Sequence, residues 1–207
     1  MPWRLRDMCP TAAPMYDLLA VTGRFQPFHN DHLDLVRYAL TQARRVVIGI
    51  TNPDANQCVS HPTSPHRHLA GSNPFSYRQR ELLISAALAG DAVEPARVLI
   101  VPFPLDEPGR WPQILPVGTP QLVRTFSDWE REKVRRFAAA GYPPIVLQGD
   151  PQRRISASEI RDCIAEGGDW QHRVPAEVRT LLSAWLEREG AEAHTPHLIT
   201  GRVDADA

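Results

Sequence analysis

The 207-residue sequence lacks any apolar run long enough to cross a membrane, and it lacks an excess of charge of either sign. It carries 23 basic and 24 acidic residues, a balance that argues against a general binder of nucleic acid or of an acidic membrane surface. Only three cysteines are present, and their odd number and scattered positions (Cys9, Cys58, Cys163) fit a reducing cytoplasm better than a disulfide framework. We therefore expect a cytoplasmic protein with neither a membrane nor a nucleic acid as its partner.

The ends of the chain differ in character from its middle. Residues 1–14 carry charges but no apolar core of a signal peptide, and Met15, directly before the first apolar run, is a candidate for the true start. Apolar residues make up 43% of the chain, enough to bury a core in one domain of this length. We expect a disordered leader over 1–14, a single domain over 15–189 and a flexible tail over 190–207.

Five short apolar runs, rich in Val, Ile and Leu and without alternation, are typical of strands buried on both faces. They are Asp17–Thr22, Val46–Thr51, Val98–Val101, Leu122–Phe126 and Ile145–Gln148. Helical patterns lie between and after them, over Leu33–Ala43, Tyr77–Ala89, Trp129–Ala140, Ser158–Glu166 and Ala176–Glu187. This alternation predicts an α/β fold with one parallel five-stranded sheet flanked by helices.

Residues 23–32, GRFQPFHNDH, join the first predicted strand to the first predicted helix. His29 and His32 are three residues apart, so a helix that begins beside them places both one turn apart on nearly the same face. Backbone N–H groups and the helix dipole favour an anion there, and imidazoles can donate hydrogen bonds to phosphate oxygens. Gly23 permits a close backbone approach, and Arg24 is a candidate phosphate ligand. Because the pattern is short, a pair of surface histidines at a helix cap is an equally good interpretation of it.

A second stretch, RRISASEIR at residues 153–161, opens the fourth predicted helix. Ser156 and Ser158 flank a small residue at the helix start, where free N–H groups form a second anion cradle. Arg161 lies one turn further on and can reach the same phosphate with two hydrogen bonds. For either residue alone, a plain serine cap followed by a surface arginine is the better interpretation. Two such cradles in one α/β domain fit a triphosphate.

Both stretches resemble the signature motifs of one enzyme superfamily. GRFQPFHNDH is similar to the GRFQPFHxGH signature of the nucleotidyltransferases, and RISASEIR is similar to their ISSTxxR motif. Three further segments resemble the archaeal-type nicotinamide mononucleotide adenylyltransferases, in the same order along the chain. These are SNPFSYRQR (72–80), GRWPQIL (109–115) and GGDWQHRVP (167–175). The resemblance extends from near Leu18 to near Leu182, and it implies a Rossmann-like nucleotidyltransferase fold.

The resemblance also implies a reaction, in which a phosphate oxygen of an acceptor attacks the α-phosphorus of a nucleoside triphosphate and pyrophosphate leaves. His29 and His32 would be the catalytic residues. Nucleotide binding would fall to Gly23, Arg24, Phe25, His29, His32, Arg154, Ile155, Ser156, Ser158 and Arg161, and acceptor binding to Asn73, Phe75, Arg78 and Trp111. Mg²⁺ would bridge triphosphate oxygens and keep its waters, with no side-chain ligand of its own. The branch that the chain resembles is often oligomeric, so a homo-oligomer is expected.

Asp31 departs from the signature, which has Gly or another small residue at that position. A carboxylate ~4–6 Å from a phosphate would repel it by about 3–4 kcal/mol at an effective dielectric constant near 20, before screening. We expect the side chain to point away from the phosphates and to stabilise the first turn of the helix, where an acid is favoured. The alternatives are that Asp31 holds Mg²⁺ through water, or that it contacts a different acceptor.

The acceptor side departs from the adenylyltransferases as well. Residues 125–133, TFSDWEREK, replace the GNP-type turn that those enzymes have after the fourth strand. Trp111 resembles a tryptophan that stacks on nicotinamide in that branch, but a place in the core is the commoner role of a single tryptophan, and Trp129 is expected to pack there too. Two reactions stay open: transfer to nicotinamide mononucleotide, or cytidylyl transfer to a small phosphonate or alcohol phosphate. The sequence does not distinguish ATP from CTP.

The long segment 52–74 has no periodicity and follows the second predicted strand at the same edge of the sheet. We expect it to be a lid, with Arg67 or His68 touching phosphates when the lid is closed. The alternative is a zinc site, although the spacing of its four candidate ligands matches no common structural template. These ligands are Cys58, His61, His66 and His68.

Two functions from other classes compete with the transferase. A metal hydrolase could use His29 and His32 as ligands, but it would need a third ligand nearby and would leave the cradle at 156–161 unexplained. A non-catalytic nucleotide sensor would keep its binding residues and lose its chemical ones. The presence of both histidines therefore favours an enzyme.

Overall fold

The computed structural model describes residues 14–54, 60, 62–63 and 69–193. Five strands in this part of the chain form one sheet with all neighbours parallel, in the order β3-β2-β1-β4-β5. The strands are β1 (Tyr16–Gly23), β2 (Ala43–Thr51), β3 (Val98–Phe103), β4 (Gln121–Thr125) and β5 (Pro144–Gln148). The helices are α1 (Asn30–Gln42), α2 (Tyr77–Gly90), α3 (Asp128–Ala139), α4 (Ala157–Ala165) and α5 (Ala176–Ala193). The predicted α/β fold with a parallel five-stranded sheet is confirmed.

The observed bounds differ from the predicted ones at the end of α5 and, by fewer residues, around α1 and β2. Strand β2 begins at Ala43, directly after the helix, whereas the apolar run that marks it in the sequence begins at Val46. Arg44 and Arg45 are exposed near the start of the strand, so the hydrophobicity of the sequence gives no sign that they are extended. Helix α5 runs on to Ala193, so the first residues of the predicted tail are helical.

Two apolar cores lie on opposite faces of the sheet. Along β1 the side chains alternate between them: Leu19 and Val21 face one core, and Ala20 faces the other. The larger core packs α1, α2, α4 and α5 against the sheet, with buried residues such as Val36, Ile48, Ile84, Ile160 and Val178. The smaller core packs α3 and the short 3₁₀ helix Pro108–Gln113 against the other face, with Val47, Phe103, Trp111, Val123, Phe137 and Tyr142.

The strand order reverses between β1 and β4. Helix α1 leaves β1 towards the larger core, whereas α3 leaves β4 towards the smaller core, so a crevice opens between the two strands at their carboxyl ends. Open parallel sheets bind ligands at such a point because loops diverge there and helix N-termini face the gap. The segments 23–29 and 154–158 both reach this crevice.

Candidate functional site

The turn after β1 is shaped by a glycine and an aromatic ring. Phe25 has φ +54°, in the left-handed region, and its side chain is 2% exposed. A Cβ on Gly23 would lie 2.7 Å from the Phe25 ring, which is closer than carbon atoms can approach. Gly23 is therefore required for the ring to fold back over the strand end, and the buried ring packs edge-on against the imidazole of His32.

His29 and His32 are brought together at the start of α1, as the sequence predicts. His29 is the N-cap residue, and the two rings stack with 3.5 Å between their centroids. The backbone N–H of His29 donates to Nδ1 of His32 at 3.3 Å. Because that nitrogen accepts, a neutral His32 carries its proton on Nε2 and can donate it to a phosphate oxygen. Nδ1 of His29 is buried and has no hydrogen-bond partner among the described residues.

Both imidazoles are neutral near pH 7. Burial, assisted by the positive charges of Arg154 and Arg124, lowers the pKa of His29 to about 3. Burial also holds the pKa of His32 well below its ordinary value, with His29 and Lys133 adding to the effect. In the free protein the pair therefore offers neutral N–H donors, and positive charge in the crevice comes from other residues.

The second anion cradle stands at the start of α4, where Ser156 is the N-cap residue. Arg161 donates to the Gln26 carbonyl at 2.7 Å and to Oγ of Ser158 at 3.1 Å. Its guanidinium thus ties the second cradle to the turn after β1, and Arg161 itself is not one of the residues that line the crevice. The other nine predicted nucleotide-binding residues do line it, namely Gly23, Arg24, Phe25, His29, His32, Arg154, Ile155, Ser156 and Ser158.

Asp31 lies in the first turn of α1, as expected, but the expectation that its side chain points away from the site is wrong. The carboxylate lines the crevice and accepts a hydrogen bond from the Ile155 backbone N–H at 2.8 Å. It therefore occupies one of the donors of the second cradle and links the two cradles directly. Burial raises the pKa of Asp31, and that hydrogen bond and the charges of Arg124 and Arg154 only partly oppose the rise.

The wall of the crevice formed by β4 and α3 was missed by the sequence reasoning. It contributes Arg124, Glu130 and Lys133, together with the rings of Phe126 and Trp129. Lining residues of the crevice thus include four cationic side chains, from Arg24, Arg124, Lys133 and Arg154, against two carboxylates, from Asp31 and Glu130. This balance suits a polyanion.

A signal for these residues was present in the sequence. Arg124 is the next-to-last residue of β4, and the carboxyl ends of parallel strands share one edge. Lys133 lies four residues after Trp129 and four before Phe137, so the three side chains share the buried face of α3. A lysine in register with two buried aromatic residues is a candidate for an inward-facing cation.

A buried arginine holds the loops around the first cradle. Arg80 of α2 is 1% exposed and donates to the carbonyls of Arg24 (2.9 Å), Thr51 (2.8 Å) and Asn52 (2.8 Å). The Arg24 side chain in turn donates to Oδ1 of Asn73 at 3.4 Å. Arg80 therefore fixes the ends of β1 and β2 relative to each other, and with them the backbone that leads to the histidines.

None of the four predicted acceptor ligands lines the crevice that holds the histidines. Asn73 is buried and braces Arg24, and Phe75 packs near Trp185. The Arg78 side chain is 71% exposed and pairs with Glu81. Asn73 contacts the crevice residue Arg24, and the Phe75 backbone exchanges two hydrogen bonds with the side chain of the crevice residue Gln26. These contacts brace the crevice from outside, so the structure gives no support for an acceptor site built from the four residues.

Trp111 is fully buried in the smaller core, where its ring lies 5.3 Å from Phe103 and 5.1 Å from Phe137 between centroids. Its indole N–H donates to the Pro104 carbonyl at 2.8 Å. The ring and its polar atom are therefore both engaged by protein, so the packing interpretation of Trp111 is the one that this geometry supports. Trp129 is 5% exposed and packs in the same core, as predicted.

Two expectations fall on residues outside the described part of the chain. Cys58, His61, Arg67, His66 and His68 all lie there, so the zinc alternative and the lid stay predictions. Among the residues that the structure does describe, no group of three His, Cys, Asp or Glu side chains could hold a metal ion. The described residues therefore offer no third ligand beside the histidine pair, which a metal hydrolase would need. No helix in the described ranges is both long and apolar enough to cross a membrane.

Comparison with known proteins shows which family the sequence matches. The sequence model of the family described as Cytidylyltransferase-like matches residues 20–163. The chain is 36% identical over 162 residues to a phosphonoformate cytidylyltransferase of Streptomyces viridochromogenes, with 78% of this chain and 88% of that protein covered. It is 27% identical over 161 residues to a nicotinamide-nucleotide adenylyltransferase of Thermococcus kodakarensis, with 77% and 79% covered.

A solved structure has the same fold. The crystal structure of a bifunctional NMN adenylyltransferase/ADP ribose pyrophosphatase from Francisella tularensis superimposes with a TM-score of 0.63 at 21% identity. The superposition covers 84% of this chain but only 50% of that longer one. At this level of identity the likeness concerns the fold, and it agrees with the Rossmann-like arrangement predicted from the motifs.

Proposed function

The chain belongs to the cytidylyltransferase-like family, and from that premise we propose that it transfers a cytidylyl group from CTP to a small phosphonate or phosphate, with release of pyrophosphate. Transfer of a nucleotidyl group is common to its named relatives, and the chain is a nucleotidyltransferase. The base and the acceptor are the proposed part.

The observation that carries the choice of acceptor is the burial of Trp111. The sequence motifs alone favour adenylyl transfer to nicotinamide mononucleotide, which requires a surface for the nicotinamide ring. With Trp111 fully buried, that surface is missing at the predicted position. A small acceptor that consists mainly of anionic groups needs only cations, and the crevice supplies them from Arg124 and Lys133. A phosphonate such as phosphonoformate, the substrate in the name of the 36% identical relative, has this chemistry.

In the proposed reaction an acceptor oxygen forms a bond to the α-phosphorus, and the bond from that phosphorus to the bridging oxygen of pyrophosphate breaks. The protein aligns two polyanions and stabilises charge, so no covalent enzyme intermediate is needed. We assign the α-phosphoryl group and the triphosphate to His29 and His32, with Nε2–H of His32 as a donor. The backbone at Ser156, with Ser158, binds the outer phosphates.

The carboxylates of the crevice fit a magnesium ion that is held mainly by its substrate. Glu130 accepts from the Ser127 backbone N–H at 2.8 Å and lies 3.7 Å from Arg154, and Asp31 accepts from Ile155. Both acids are thus already engaged by protein groups, and we propose that neither is a direct ligand of the ion. When bound with CTP, Mg²⁺ would neutralise part of the triphosphate charge.

We extend the proposal to a homo-oligomer in the cytoplasm. The edge strands β3 and β5 expose apolar side chains, with Leu99 58% and Val146 48% accessible. We take these two side chains as candidates for contact with another copy of the chain. Light scattering after size-exclusion chromatography measures the mass directly, and a monomer of 23.2 kDa would contradict this extension.

The experiment that tests the function combines nucleotides with acceptors. The purified protein is incubated with Mg²⁺, one of ATP, CTP, GTP or UTP, and one of phosphonoformate, an alcohol phosphate or nicotinamide mononucleotide. Pyrophosphate is followed continuously, and the nucleotidyl product is identified by mass. We expect turnover with CTP and the phosphonate. Turnover only with ATP and nicotinamide mononucleotide would replace the proposal by the adenylyltransferase, and no pyrophosphate with any pair would refute both.

A further inference from the structure

Helix α3 carries one cation that is placed differently from the others. Arg131 and Arg135 are exposed and pair within the helix, with Asp128 and Glu132 respectively. Lys133 is 8% exposed, and its Nζ donates to the Thr22 carbonyl at the end of β1. The helix therefore directs this ammonium group across the crevice, towards the end of the strand that leads to the histidines.

The position of Lys133 is opposite the proposed site of the leaving group. The histidines and the cradle at Ser156 stand at the N-termini of α1 and α4, on the side of the larger core. Lys133 enters from α3, on the side of the smaller core. In phosphoryl transfer the attacking and leaving oxygens lie roughly in line on either side of phosphorus. If pyrophosphate leaves towards the helix N-termini, the acceptor approaches from the side of α3.

From this arrangement we infer that Lys133 binds the anionic head group of the acceptor and holds it for attack on the α-phosphorus. The inference rests on the proposed nucleotidyl transfer and names the acceptor subsite within it, the wall formed by Lys133, Trp129 and Arg124. An ammonium group has three donors, so Lys133 can keep its hydrogen bond to Thr22 while it binds an acceptor oxygen. The acceptor class that fits is a small phosphonate or phosphate dianion.

The test separates acceptor binding from nucleotide binding. Lys133→Met removes the charge and retains a chain that can pack, and Lys133→Gln retains a donor for the Thr22 carbonyl without the charge. For both variants we expect the KM for the acceptor to rise by about tenfold or more, with the KM for CTP changed by less than about twofold. The matched control is Arg131→Met, which removes an exposed cation from the same helix and should leave both constants unchanged.

Equilibrium binding gives a readout that does not depend on turnover. Phosphonoformate is titrated calorimetrically into wild type and variants that hold a non-hydrolysable CTP analogue, and into the same proteins without it. We expect binding to wild type that weakens by about tenfold or more in both Lys133 variants. Equal acceptor affinity in wild type and variants, no binding to wild type, or a loss confined to the CTP analogue would each overturn the inference. If wild type binds phosphonoformate through Lys133 but makes no pyrophosphate, the proposed reaction fails while the subsite stands.

Discussion

Neutralising Asp31 should tighten nucleotide binding, because its carboxylate lies in the same crevice as the phosphate cradles. At about 5 Å from a phosphate charge and an effective dielectric constant near 20, the repulsion is about 3 kcal/mol. Asp31 is half-buried, so water and salt reduce this value, and we take about 1.4 kcal/mol, a tenfold change in affinity, as the expected net effect. In Asp31→Asn the amide oxygen can still accept from the Ile155 N–H, so the two cradles stay linked.

The assay is calorimetric titration of a non-hydrolysable CTP analogue, with and without Mg²⁺. We expect the Kd of Asp31→Asn to fall by about tenfold in both conditions, while the free energy of unfolding stays equal or rises. The second expectation follows from the raised pKa of Asp31, which means that folding penalises its ionised form near pH 7. Asp34→Asn is the matched control, since Asp34 lies one turn later on α1, is 55% exposed and pairs with Arg37.

Two results would refute this reasoning. An unchanged Kd would show that Asp31 does not sense the triphosphate at all. A Kd that rises only when Mg²⁺ is present would show that the carboxylate holds the hydrated ion, which is the competing role. A loss of kcat with normal nucleotide affinity would instead indicate a contact with the acceptor.

Three further results follow from the buried groups. Because the folded-state pKa of His29 is about 3, against 6.5 for a free imidazole, the free energy of unfolding should fall as the pH drops below about 6.5, by about 2 kcal/mol at pH 5 from this residue alone. Urea unfolding at pH 7 and pH 5 should show a correspondingly smaller loss of stability in His29→Gln than in wild type, and an equal loss would contradict the assignment. Trp111→Phe should lower the melting temperature and leave the acceptor KM within about twofold, whereas a tenfold KM rise at unchanged stability would show that the indole binds substrate. Arg80→Lys should cost about 1–3 kcal/mol in unfolding free energy, because a lysine cannot span the three carbonyls that the guanidinium joins, while the exposed Arg78→Lys on the same helix should be neutral within about 0.5 kcal/mol.

The tertiary structure corrected the sequence-based interpretation where side-chain direction mattered. Asp31 was expected to point away from the phosphates, because an acid in a first turn is favoured by the helix alone. Its partner, the Ile155 N–H, lies 124 residues further along the chain and comes near only when α4 docks beside α1. No local pattern contains that information.

The acceptor side shows the same limit from the opposite direction. Trp111 and Arg78 lie in segments that resemble ligand-binding segments, yet one side chain is fully buried in the smaller core and the other is exposed on α2. Lys133 lies in a helix crowded with charges, and its inward position can be recognised only through its register with Trp129 and Phe137. Motif similarity places a segment at the site, but packing decides which of its side chains reaches the ligand.

The sequence by itself determined the strands, the parallel sheet and the two helix starts that carry His29, His32 and Ser156. These features depend on runs of apolar residues and on short motifs, and both are local properties of the chain. The tertiary structure alone decided the tautomer of His32, the contact of Asp31 with the second cradle and the entry of Lys133 from the far side of the crevice. The physical reason is that burial and charge act through space, so the pKa values and the shape of the crevice depend on elements that meet only after the sheet has formed.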